Sequence, residues 1–147
     1  MTLNLTLLTA DAIYQSADFQ LTDGTTNAPL HTESMKLVTV HYPSWEGFVT
    51  YTGVGRWQGR DTAEWIVKWL TGLEDASPDQ VIDRLRERGT AFLRDIERSP
   101  RGRRHPHTFV FASFVDGGPR VATISNFEDC GGRSDASPSV GFGLIHA

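Results

Sequence analysis

An α+β fold, with antiparallel β-sheets layered against helices, is predicted from three observations. Strand-like alternation recurs at both ends of the chain, two helical segments sit together between them, and strand and helix never alternate as βαβ units require. No break in composition marks a domain boundary. Residues 1–147 are therefore read as one domain, a length that a single core can serve.

The elements follow in order. Leu3, Leu5 and Leu7 alternate with Asn4 and Thr6, the pattern of a half-buried strand with its leucines inward. Thr9 to Asp11 reads as a turn and AIYQS as the return strand. A turn centred on Ala10 pairs residue i with residue 20 − i, so Leu7 faces Ile13, Leu3 faces Ala17 and Thr2 faces Asp18. Directly opposed residues lie ~4.5–5.5 Å apart. TDGTTNAP carries turn chemistry at Asp23-Gly24, Asn27 and Pro29. MKLVTV is a strand ended by Pro43, and EGFVTYTG is another that runs into the glycine-rich TGVG.

DTAEWIVKWL is predicted helical, opened by a capping box of Asp61 and Glu64 and stopped at Gly72. In the next helix Ser77 is the N-cap, Pro78 takes the first helical position and Gln80 completes the box. Its apolar stripe is Val81, Ile82, Leu85, Phe92, Leu93 and Ile96. Ser99-Pro100 ends it. RGRRHPH is a basic loop, TFVFASFV a strand, DGG a tight turn and PRVATI the partner strand. EDCGGRSDASPS is a polar loop, and VGFGLIHA reads as a last strand.

Composition narrows the function. A net charge of −4 argues against a general nucleic-acid or membrane-surface role. Cys130 is the only cysteine, so no internal disulfide forms, which suits a reducing compartment. The stretch MTLNLTLLTA lacks a basic n-region and does not read as a signal peptide. No run reaches the ~18 apolar residues of a membrane span, and a cytoplasmic location is expected. His105-Pro106-His107 is weak as a zinc pattern, so no metal and no cofactor is expected. Arg101, Arg103, Arg104, His105 and His107 read as a solvated loop rather than a nucleic-acid surface. Cys130 follows two acids, which disfavour a thiolate, and reads as non-catalytic. Trp65 and Trp69, four apart on one helix face, read as core or interface packing.

Four residues carry the chemistry. Thr2 is small enough for Met1 to be trimmed, leaving a free amine beside a hydroxyl. Asp18, in SADFQLTDG, lies sixteen positions later. Lys36 opens MKLVTV, and Gly53 stands in VTYTGVG ahead of the first helix; a second helix and a hairpin containing DGGP follow. In this order the features resemble the proteasome β-subunit family of N-terminal-nucleophile (Ntn) hydrolases, including its bacterial two-component relatives. The resemblance runs from residue 2 to about residue 125. It implies an αββα-like sandwich, a peptide-like substrate, self-assembly into a homo-oligomer, and catalytic roles for Thr2, Asp18, Lys36 and Gly53. Lys36 stands about two residues later than the family's lysine. Phe142 lies between Gly141 and Gly143 where the family has Gly-Ser-Gly. The family's further helices and closing strands have no counterpart. A C-terminally shortened member is expected, with one outer helix layer incomplete and apolar sheet surface left over.

The chemistry is coherent on its own terms. A threonine hydroxyl needs a base. An α-amine, with an ordinary pKa of ~7.7–8.0, suits neutral pH better than a lysine at ~10.4. The Lys36 ammonium would ease ionisation of the hydroxyl, Asp18 would orient Lys36, and the Gly53 N–H would bind the oxyanion. Each residue also has a plainer reading: Thr2 an ordinary second residue, Asp18 and Lys36 a structural ion pair, Gly53 and Gly55 turn glycines. The sequence thus leaves three functions open. They are a threonine peptidase, a catalytically inactive structural or interaction subunit of the same fold, and an unrelated α+β domain binding anions through the basic loop. It does not specify a partner ATPase.

Overall fold

The computed structural model describes residues 4–18, 21–22, 29–31, 34–100, 104–127 and 141–146. Thr2, Arg101, Arg103 and Cys130 lie outside them, as do the TDGTTNAP turn residues 23–28.

β1 (Asn4–Leu8) and β2 (Ile13–Ala17) form an antiparallel ribbon. Its register differs from expectation. Leu7 faces Tyr14, Leu8 faces Ile13 and Asn4 faces Ala17, so paired numbers sum to 21. The cause is the turn. The Thr9 N–H donates to the Ala12 carbonyl at 2.9 Å, and Thr9 Oγ1 accepts from the Ala12 N–H at 3.0 Å. This centres the turn between Ala10 and Asp11, and half a residue there shifts every pair by one. The inward face is also reversed. Leu5, Leu7 and Tyr14 are 58%, 61% and 60% exposed, while Asn4, Thr6, Ile13, Gln15 and Ala17 are half-buried. Gln15 Nε2 donates to Thr50 Oγ1 at 2.7 Å, so a polar ribbon face meets a polar patch of the sheet beneath.

β3 (Leu21–Thr22) and β4 (Pro29–His31) pair as a short ribbon. β5 (Leu37–Tyr42) and β6 (Trp45–Thr52) form a hairpin across Pro43-Ser44. β7 (Arg56–Trp57) and β8 (Arg60–Asp61) make a small hairpin whose turn residues, Gln58 and Gly59, both have positive φ. α1 (Thr62–Leu70) and α2 (Pro78–Glu97) follow, then β9 (Thr108–Val115), β10 (Gly118–Ser125) and β11 (Gly143–His146). The β9–β10 turn, Asp116-Gly117, has φ of 52° and 75°, the left-handed pair that a two-residue hairpin loop requires. The main sheet has the order β11-β10-β9-β6-β5, antiparallel throughout.

Alternation along β6 separates the layers. Trp45, Val49 and Tyr51 point to one face, and Thr50 to the other. α1 packs on β5, and α2 on β9 and β10; β1 and β2 rest on β6 and β9. The helix-side core joins Val49, Ile66, Trp69, Val81, Leu85, Phe92, Phe109 and Phe111. Trp69 meets Phe92 and Phe109 edge-on at 5.5 and 6.2 Å. Trp65 is half-buried, with Arg60 and Lys68 over its ring. The whole predicted stripe of α2 is buried, and its Ser77–Gln80 capping box is formed in both directions. The capping box expected at α1 is absent. Asp61 stands at the N-cap without a side-chain cap bond, because its carboxylate pairs with Arg56 Nε at 3.2 Å. Among the described residues no helix is long and apolar enough to cross a membrane.

Candidate functional site

One end of the main sheet carries Lys36 and Gly53, with Asp18 paired to Lys36; Thr2 lies outside the described residues. The β5–β6 pairing stops at Leu37↔Thr50, so Lys36 lies one residue beyond it and Gly53 three beyond. The β6–β9 pairing stops at Thr52↔Thr108, and the β9–β10 pairing at Thr108↔Ser125. Gly53, His107 and Asn126 therefore share this end. In the ribbon, β1 begins at Asn4 opposite Ala17, the residue before Asp18.

Asp18 and Lys36 are brought together. Lys36 Nζ donates to Asp18 Oδ1 at 2.6 Å, with Lys36 only 2% exposed and Asp18 31%. The Tyr51 hydroxyl donates to the Met35 carbonyl at 3.0 Å, tying the approach to Lys36 to β6. Burial, with the Asp61 charge nearby, holds the Tyr51 phenol far above its usual range, so it stays a neutral donor. A groove of about 510 Å³ runs between β5 and α1, lined by Met35 and Leu37, the neighbours of Lys36 in sequence. Met35, Ala63 and Val67 give it apolar walls, and Asp61 and Glu64 give it carboxylates.

Gly53 turns with φ +105°, a conformation that disfavours any side chain. A Cβ there would run into the Pro106 carbonyl oxygen and come within 2.8 Å of His107 Nδ1. The next residue is fastened on both sides. The Val54 N–H donates to His107 Nδ1 at 3.1 Å, and Thr62 Oγ1 donates to the Val54 carbonyl at 2.6 Å. The Thr62 N–H reaches the Gly55 carbonyl at 2.9 Å.

His107 corrects the reading of the basic loop. Its side chain is wholly buried, not solvated. It stacks on Tyr51 and lies against Phe92, Phe109 and Phe142. Burial pushes its pKa down to about 3, with the charge of His105 adding to the effect. The bond from Val54 assigns Nδ1 as acceptor and leaves the proton on Nε2, which has no partner among the described residues. The backbone N–H of His107 donates to Asn126 Oδ1 at 2.8 Å, and Asn126 Nδ2 donates to the His105 carbonyl at 2.9 Å. Sequence did hold a signal for this placement: His107 is in phase with Phe109 and Phe111, the inward residues of β9. Arg104 of the same loop is exposed and pairs with Glu97 at 2.9 Å. Phe142, between the two glycines, is buried against Phe109. Among the described residues no three or more His, Cys, Asp or Glu side chains gather as metal ligands.

No protein-family model, no curated protein and no solved structure matches the chain.

Proposed function

We propose that this protein is a proteasome-like Ntn hydrolase, of the αββα-like class, that cleaves amide or peptide bonds through Thr2 once Met1 is removed. The observation that carries the reading is the Asp18–Lys36 pair: a lysine 2% exposed, held at 2.6 Å by a carboxylate, at the sheet end where Gly53 turns. The Lys36 end of the pair is buried while Asp18 is 31% exposed, and an ion pair so placed is weak evidence for a purely stabilising role. A buried ammonium beside a nucleophile lowers the cost of forming an alkoxide.

In this reading the Thr2 amine takes the proton from the Thr2 hydroxyl as its oxygen attacks the substrate carbonyl. The Gly53 N–H receives the oxyanion, and Lys36, fixed by Asp18, steadies the developing negative charge. The amine returns the proton to the leaving nitrogen, and water then releases the acyl group from Thr2. The groove between β5 and α1 fits an apolar or a basic substrate side chain.

A second reading is a catalytically inactive subunit of the same fold. Leu5, Leu7 and Tyr14 favour it, since they are exposed on the ribbon and no helix lies over them among the described residues. Intact mass and an acyl-threonine probe test the choice. Loss of Met1 with labelling of the wild type, and none of Thr2→Ala, supports the hydrolase. Retained Met1 sinks it, and loss of Met1 with no labelling favours the inactive subunit.

A further inference from the structure

Among the described residues the turn that offers the Gly53 N–H has no regular hydrogen-bonding partner strand beyond Thr52. Something else must hold its backbone at a φ of +105°. The contacts behind it come from two adjacent residues, Pro106, whose carbonyl oxygen a Gly53 Cβ would meet first, and His107. The Val54 N–H ends on His107 Nδ1, and the hypothetical Gly53 Cβ would meet His107 Nδ1 and Cα at 2.8 and 2.9 Å. His107 cannot swing away from this post. Its ring lies between Tyr51 and Phe109, with centroids at 6.0 and 4.6 Å, and its backbone N–H is tied to Asn126 at 2.8 Å.

We propose that His107 is a positioning residue for the oxyanion-binding turn: its neutral ring, with the proton on Nε2, accepts the Val54 N–H and thereby aims the Gly53 N–H. This inference rests on the hydrolase reading for its catalytic consequence, although the hold on the turn does not. An imidazole suits the task because Nδ1 accepts without carrying charge, and the ring is flat enough to fill the slot between aromatic neighbours. A protonated Nδ1 would repel the Val54 N–H and release the turn. The buried setting, which drives the pKa to about 3, keeps that from happening at working pH. Thr62 supplies the opposing anchor at the Val54 carbonyl, so the two peptide planes on either side of Val54 are each held. Nε2, which has no partner among the described residues, points to the same conclusion. A histidine kept only to fill space leaves an N–H unsatisfied that phenylalanine would not, so the ring earns its place through Nδ1.

The experiment uses the full-length chain. Long-range nitrogen–proton NMR of the wild type reads the ring directly: the proton on Nε2 and a bare Nδ1 are expected. A proton on Nδ1 overturns the proposal whatever the activity. Two variants then separate hydrogen bonding from packing. His107→Asn keeps an acceptor near the Nδ1 position, and His107→Leu keeps bulk and loses the acceptor. Misplacing a catalytic group by about 1 Å costs roughly 100-fold in rate. The Leu variant should therefore label Thr2 about 10–100-fold more slowly, with KM for a peptide substrate within about twofold of wild type. The Asn variant should recover most of that rate. Equal rates in Leu and wild type, or equal losses in Leu and Asn at matched thermal stability, overturn the proposal. A wild type that never labels refutes the hydrolase reading instead. The ring tautomer and the hydrogen-exchange protection of the Val54 amide, expected to be lost in Leu and kept in Asn, still decide whether His107 holds the turn.

Discussion

The buried, neutral His107 ring makes the protein acid-sensitive in a way that can be worked out in advance. Its folded pKa is about 3, against about 6.5 for a free histidine. The unfolded chain therefore takes up a proton first as pH falls. Stability from this residue is fully present above about pH 6.5 and is lost progressively toward pH 3. Full titration of one site changes stability by at most ~1.4 kcal/mol per pH unit. Between pH 7 and pH 5 the loss comes to about 2 kcal/mol, and by pH 4 to about 3 kcal/mol. A domain with a total of roughly 5–15 kcal/mol feels that. Among the described residues the titratable neighbours are Tyr51, which stacks on the ring and stays neutral, and His105 two residues away; Phe92, Phe109 and Phe142 supply further walls. Urea unfolding of wild type and His107→Asn, at steps from pH 8 to pH 4, isolates the effect because all other groups cancel in the difference. The wild-type advantage should shrink by about 2 kcal/mol from pH 7 to pH 5, near 1 M in urea midpoint at typical slopes. A gap that stays constant, or a His107 ring that titrates near pH 6.5 in the folded protein, refutes the reasoning.

Two further outcomes probe the frame around the site. Gly89→Ala should gain up to ~1 kcal/mol in helix propensity, yet its Cβ would come within 2.8 Å of both Phe109 and Phe142. Overpacking of about 1–3 kcal/mol should prevail, so a net loss is expected by thermal unfolding, and a rise in Tm would show that the aromatic cluster yields easily. A double-mutant cycle of Lys36→Met and Asp18→Asn should give a coupling energy of about 1–3 kcal/mol by urea unfolding. A value near zero would reduce the pair to a surface contact.

What the sequence made legible, and what it hid, divides by how local the signal is. The whole of α2 could be read in advance because its caps, its proline and its stripe lie within the helix itself. The β9–β10 hairpin was equally plain, since Asp116-Gly117 dictates its turn and the flanking strands carry their own alternation. The β1–β2 ribbon was not. Alternation of Leu5 and Leu7 with Asn4 and Thr6 gives the period, but which side is inward depends on the sheet below, and Thr50 offers a hydroxyl there rather than a methyl. Its register turned on Thr9, whose hydroxyl closes the turn around Ala10-Asp11. At the sheet end the same division holds. Asp18 and Lys36 are singled out by the resemblance and paired by their opposite charges, and they stand 2.6 Å apart. The basic loop around His107 reads as solvated from the negative net charge and the lack of interleaved aromatics, yet the phase of His107 with Phe109 and Phe111 argues the opposite, and the ring is buried. Phase along a strand reports on burial, whereas the polarity of neighbours across a strand boundary reports only on the loop. Where the two conflict at the first residue before a strand, phase is the better guide, and a titratable residue that obeys it is the one to examine for a task beyond packing.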